Sequence, residues 1–230
     1  GFPTYLLSSE FNSLNSVYYS LLEKNNFKFI PDEIISIIEK TPRLKIIVIN
    51  NPSNPLGIHQ NTNDIDKIVE FCAQKKVAVI WDDTYRNLIY DDNVKRNVKH
   101  RSNLFYIYSL SKDTAAPALR IGCIIGEKNV IKKIADHNSL FYSCLPKFIQ
   151  LAAADYLFED HRPYRLALRD SMMQRITRIC EILKDAPLIS FVKPNAGIYF
   201  FFNISKSKLD GESFAKQFLS NYDVCVCPGS

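Results

Sequence analysis

Three short apolar runs, at 45–49, 77–81 and 104–108, each break off into a polar cluster, and a stretch of helical periodicity precedes each of the first two. Short runs that stay apolar without alternating in and out read as strands covered on both faces. Strands of this kind, linked by helices, specify an α/β chain with a mostly parallel sheet between helical layers. Such sheets bind ligands beyond the carboxyl ends of their strands. In this chain those ends carry Asn54, Asp82 and Lys112. A fourth run, 120–125, extends the same sheet.

The helical stretches have readable starts. Pro31-Asp32-Glu33 opens a helix whose apolar face is Ile34, Ile35, Ile37 and Ile38, since proline and acidic side chains favour a first turn. A second helix begins near Thr62 or Asn63 and places Ile65, Ile68, Val69 and Cys72 on one stripe. From Pro146 the pattern changes. Helices are expected at 149–158 and 164–183, the second long enough to join two domains. A short strand after Pro187, a strand at 198–203, a helix at about 212–220 and a strand at 224–227 follow. This gives a large domain over 1–160, a linking helix over 161–185 and the opening of a smaller α+β domain over 186–230.

With 230 residues, 47% of them hydrophobic, the chain can bury a sizeable core. Its formal charge of +5 is mild and scattered. The densest basic cluster, Lys95 to Arg101, reads as a solvated loop face, so nucleic acid is not an expected partner. The six cysteines, at 72, 123, 144, 180, 225 and 227, are dispersed and sit mostly in apolar stretches. They read as buried reduced thiols of a cytoplasmic protein. Cys225 and Cys227 share a face if 224–227 is a strand, and the histidines lack ligand-like spacing. No apolar run is long enough to span a bilayer and no secretory signal opens the chain.

The most informative segment is Tyr108-Ser-Leu-Ser-Lys-Asp-Thr-Ala-Ala-Pro-Ala-Leu-Arg-Ile-Gly122. It places Lys112 just after an apolar strand, where an amine can be desolvated and made nucleophilic, as Schiff-base chemistry requires. Ser109, Ser111 and Arg120 around it form a plausible phosphate seat. Upstream, Asn50-Asn-Pro-Ser-Asn-Pro-Leu-Gly57 follows the first strand, and Asp82 ends the second, three residues before Tyr85. Each piece has an ordinary reading on its own. A lysine after a strand is usually a surface charge, the Asn-Pro-Gly run is a turn composition, and an aspartate at a strand end is usually a cap. Their joint order, each beside a strand, is what carries weight.

Together these motifs resemble the class I/II aminotransferases, enzymes of fold type I that use pyridoxal 5′-phosphate. The resemblance implies a three-layer αβα large domain, with the strand at 120–125 antiparallel to its neighbours. It implies that Lys112 holds the cofactor as an imine and then moves the substrate α-proton. Asp82 pairs with the pyridine nitrogen and keeps it charged. Asn54 and Tyr85 bond the phenolic oxygen, while Ser109, Ser111 and Arg120 hold the phosphate. Phe2-Pro-Thr-Tyr5 resembles the segment whose aromatic ring stacks on the pyridine, which makes Tyr5 the stacking candidate, an ordinary turn tyrosine being the other reading. Asn195-Ala-Gly-Ile-Tyr199 resembles a small-residue segment near the substrate, where Gly197 permits close backbone approach; a plain turn into a strand accounts for it equally well.

The implied function is transamination between an amino acid and a 2-oxo acid by a homodimer. Other reactions of the same cofactor (β-elimination, decarboxylation, oxidation), a cofactor-binding sensor domain of a transcription regulator and a non-catalytic remnant are the alternatives. Leu56 stands where the family usually has Thr, and Ala118 where Gly is common. The resemblance also leads us to expect a partial chain, starting at the stacking segment and ending before the arginine that binds the substrate α-carboxylate.

Overall fold

In the computed structural model, residues 2–94, 96 and 98–229 are described. The elements in chain order are α1 (Pro3–Phe11), α2 (Pro31–Glu39), β1 (Ile46–Asn50), α3 (Thr62–Gln74), β2 (Ala78–Asp82), β3 (Leu104–Ser109), α4 (Leu110–Asp113), β4 (Gly122–Ile125), α5 (Lys128–Tyr142), α6 (Lys147–Phe158), α7 (Arg162–Leu183), β5 (Ser190–Phe191), β6 (Phe202–Asn203) and α8 (Gly211–Tyr222). The main sheet runs β1-β2-β3-β4 in chain order. β1, β2 and β3 are parallel, and β4 pairs antiparallel to β3 with Ser109 opposite Gly122. The expected mostly parallel α/β sheet is what forms.

One face of that sheet is the core. Ile47 and Ile49 of β1, Val79 and Trp81 of β2 and Leu104 of β3 meet Ile34 and Ile38 of α2 and Ile65, Ile68, Val69 and Cys72 of α3. α3 starts because the Asn61 side chain accepts from the Asn63 N–H at 2.9 Å, satisfying one of the free first-turn donors. Ile65, Ile68, Val69 and Cys72 are buried as their helical spacing requires. At the carboxyl end of β3, Tyr108 and the following Leu110 of α4 pack with Ala153 of α6 in a second, smaller cluster.

Four expectations are corrected. Only β6 forms within 198–203, and 224–227 is not a strand. The V-C-V-C alternation favours a pleated edge, but a strand needs a partner, and the chain enters this stretch through Asp223 with φ +53°. Of the cysteines only Cys72 is buried; Cys123, Cys144, Cys225 and Cys227 are exposed and Cys180 is intermediate, all of them free thiols. In the basic cluster Lys95 lies outside the described residues. Arg96 is half-buried, 2.5 Å from Asp83 and 5.2 Å above the Trp81 ring, and Arg101 is 2.5 Å from Asp66, so these two are structural cations rather than a solvated face. Tyr5, the stacking candidate, lies in the helix α1, so the alternative of an ordinary turn tyrosine does not hold. Among the described residues no helix is long and apolar enough to cross a membrane.

Candidate active site

Register brings the sequence motifs together. Asn50 stands opposite Asp82 across β1 and β2, and Asp82 opposite Ile107 across β2 and β3. The turns that leave these strands therefore emerge side by side at one sheet edge.

The turn after β1 is stitched to distant chain. The Asn50 side chain accepts from the Asn54 N–H at 2.7 Å, and Ser53 and Ile58 exchange backbone and side-chain bonds across the loop. Both Asn51–Pro52 and Asn54–Pro55 are cis. Gly57, at φ +67°, accepts from the Asn195 and Ala196 N–H groups at 3.0 Å each. The His59 N–H donates to the Asn195 side chain at 2.7 Å, and the Gly197 N–H to the Leu88 carbonyl at 2.8 Å. The segment at 195–199 is thus clamped against the turn and against the loop after β2. Its terminal Tyr199 hydroxyl lies 3.4 Å from Asn54 Nδ2 and 3.2 Å from the Tyr85 hydroxyl. Asn54 and Tyr85 converge as expected; Tyr199, which joins them, looked like an apolar-strand residue in the sequence.

At the end of β2, Asp82 is half-buried with both oxygens engaged. Oδ1 accepts from the Thr84 N–H at 3.1 Å and the Thr84 hydroxyl at 2.6 Å, while Oδ2 accepts from the Tyr5 hydroxyl. Burial, then the adjacent Asp82 charge, pushes the Tyr5 phenol far above its ordinary range, and burial with the Tyr199 contact does the same to Tyr85. Both phenols therefore stay protonated at neutral pH, able to donate hydrogen bonds.

Lys112 sits on the single turn α4. A helix this short cannot hold itself, so side chains hold it. The Ser109 hydroxyl caps it by accepting from the Ser111 N–H at 3.2 Å, and Thr114 closes onto the Leu110 carbonyl. The buried Asp113 carboxylate accepts from Tyr108, Asn87 and Tyr156, which belong to β3, the loop after β2 and α6. Asp113, Asn87 and Tyr156 carry no motif signal and were not legible beforehand. Lys112 is half-buried, and its amine has no hydrogen bond or ion pair among the described residues. Arg120, in a left-handed conformation and exposed, donates to the Pro117 carbonyl at 2.8 Å, and no bond joins it to Ser109 or Ser111.

A mostly parallel sheet with Asn54, Asp82, Tyr85 and Lys112 just past the carboxyl ends of its strands defines an α/β protein of the kind that seats a ligand at its strand ends. The whole chain, 1–230, matches the family model of aminotransferase class I and II, and it belongs to that family. It is 27% identical to an aspartate aminotransferase of Bacillus subtilis over 227 residues, covering 93% of this chain and 56% of the relative. Its identity to a probable aspartate/prephenate aminotransferase of Aquifex aeolicus is 30% over 201 residues, covering 83% and 50%. A Thermus thermophilus aspartate aminotransferase solved with maleate shares the fold at TM-score 0.89 and 23% identity, covering 99% of this chain and 59% of that one. The chain spans about half the length of the curated relatives it matches.

Proposed function

We propose that this chain is the cofactor-bearing portion of a pyridoxal 5′-phosphate-dependent aminotransferase acting on an amino acid and a 2-oxo acid. The observation that carries this reading is the strand register, which sets Asn50, Asp82 and Ile107 at one level and so groups Asn54, Asp82 and Lys112 at one edge. The donor set fits the cofactor. Asp82 supplies a carboxylate suited to a ring nitrogen; Asn54 and Tyr85 supply two converging donors for a phenolic oxygen. Ser109, Ser111 and Arg120 remain the phosphate candidates, and Tyr5, beside Asp82, remains the ring-stacking candidate.

When bound, the cofactor supplies an electron sink for the carbanion left by loss of the substrate α-proton. The chain's own residues do the rest. Lys112 offers an amine free of ion pairs, which can be the nucleophile and then the base that carries a proton. Asp82, anchored by Thr84, holds negative charge where it favours a protonated ring nitrogen. Tyr85, kept protonated by burial, donates and does not accept a proton. We read the assembly as a homodimer, and the six unpaired thiols agree with a reducing, cytoplasmic setting. The test is borohydride reduction of the protein incubated with pyridoxal 5′-phosphate, followed by peptide mapping. The adduct is expected on Lys112, and an adduct on any other lysine defeats the assignment.

A further inference from the structure

The two oxygens of Asp82 are treated unequally. Oδ1 takes two donors from one residue, the Thr84 N–H at 3.1 Å and the Thr84 hydroxyl at 2.6 Å. Oδ2 faces the other way and takes the Tyr5 hydroxyl from α1. A backbone N–H alone leaves an aspartate free to swap its two oxygens by rotation about the terminal torsion, which is broad and nearly two-fold. A second donor from the same residue, at a different angle, removes that freedom. Charge-assisted bonds of this kind are the stronger class.

We propose that Thr84 is a positioning residue: its hydroxyl commits Oδ1 of Asp82 and thereby presents Oδ2 to the ring nitrogen of the bound cofactor. The assignment rests on the cofactor reading above and adds to it the residue that orients the carboxylate. Two features make the role more than a turn contact. The bond joins the carboxylate at the end of β2 to the loop that carries Tyr85, so one residue fixes the ring-nitrogen side of the site within the segment that supplies the phenol side. The other oxygen, Oδ2, meets the Tyr5 hydroxyl from a separate element, α1, and keeps a second lone pair on the same side for a ligand N–H.

The discriminating pair is Thr84→Val, which keeps shape and the backbone N–H but loses the hydroxyl, and Thr84→Ser, which restores it. Trp81, the single tryptophan, adjoins Asp82 and is buried, so its fluorescence reports binding at this edge. The two probes are pyridoxal 5′-phosphate and its deaza analogue, in which carbon replaces the ring nitrogen. Thr84→Val is expected to weaken binding of the natural cofactor about tenfold, the scale of one charge-assisted bond. It should leave the deaza analogue unchanged, and Thr84→Ser should recover wild-type binding. Equal weakening for both probes, or no weakening for either, overturns the positioning role while the functional reading stands. A wild-type protein whose Trp81 signal ignores the natural cofactor overturns the functional reading, and this assignment with it.

Discussion

His59 shows what burial does to a single residue here. It is buried, its Nε2 has no hydrogen-bond partner, and burial, then the charges of Arg96 and Lys28, push its imidazole down from 6.5 to about 4, against a smaller opposing pull from Asp91. The unfolded chain takes up this proton below about 6.5 and the folded chain only below about 4. Stability is therefore present above the higher value and lost as pH falls through that window, by up to about 3 kcal/mol. Asp83 works in the opposite direction. Burial raises its carboxyl from 3.8 to about 6 despite Arg96 and Arg86, so its contribution is lost as pH rises through that range. The two partly cancel in the wild-type curve. The informative quantity is the difference between wild type and His59→Leu: in urea unfolding the variant should gain relative stability steadily from pH 6.5 to 4. A difference that stays flat with pH would mean His59 is protonated alike in both states.

At the scale of elements, local pattern was decisive where one stretch of chain sets its own surroundings. The α3 stripe and the runs of β1, β2 and β3 are fixed by periodicity, and the structure keeps them within a residue or so. So are Asn54, Asp82, Tyr85 and Lys112, because strand ends carry them. What was not legible depends on distant partners: Tyr199 meeting Asn54 across 145 positions, Tyr5 reaching Asp82 across 77, and the failure of 224–227 to pair. The clamp between Gly57 and 195–199 is the element-scale feature that can be tested. A Cβ on Gly57 would lie 2.6 Å from the Tyr199 carbonyl oxygen and 2.9 Å from Pro194 Cβ, at φ +67°. At Gly197 the φ is +69° but the nearest atom is 3.9 Å away. Gly57→Ala thus combines left-handed strain with overpacking and should cost at least about 2 kcal/mol, while Gly197→Ala carries the strain alone, about 1 kcal/mol. Denaturant unfolding of the two variants measures this. Equal losses would show that the clamp yields to the added methyl.

The chain exposes more surface than a compact chain of its mass should. Its accessible area is 15228 Å² at 26.4 kDa, whereas a compact monomer of that mass exposes roughly 10,600 Å². The excess of roughly 4,600 Å² is larger than the 1,000–2,500 Å² that each partner of an obligate dimer buries. It is also apolar in places where isolated domains avoid it: Phe11 of α1 is 89% exposed, Leu140 of α5 80% and Phe158 of α6 86%. Exposed apolar side chains grouped on helices in this way mark surfaces that further protein covers. The excess is more than a second copy alone would cover, in a chain that spans about half the length of its curated relatives; a second copy is the share of the cover that the homodimer reading supplies. Sedimentation equilibrium across a concentration series should therefore give a mass above 26.4 kDa at micromolar protein, falling on dilution together with helical signal. Replacing Leu140 and Phe158 by Asp should shift the population toward the monomer without altering the α2–α3 core, which is remote from both. A chain that stays monomeric at tens of micromolar, binds no hydrophobic dye and keeps its helices would overturn the assignment of these surfaces to an interface between copies of this chain.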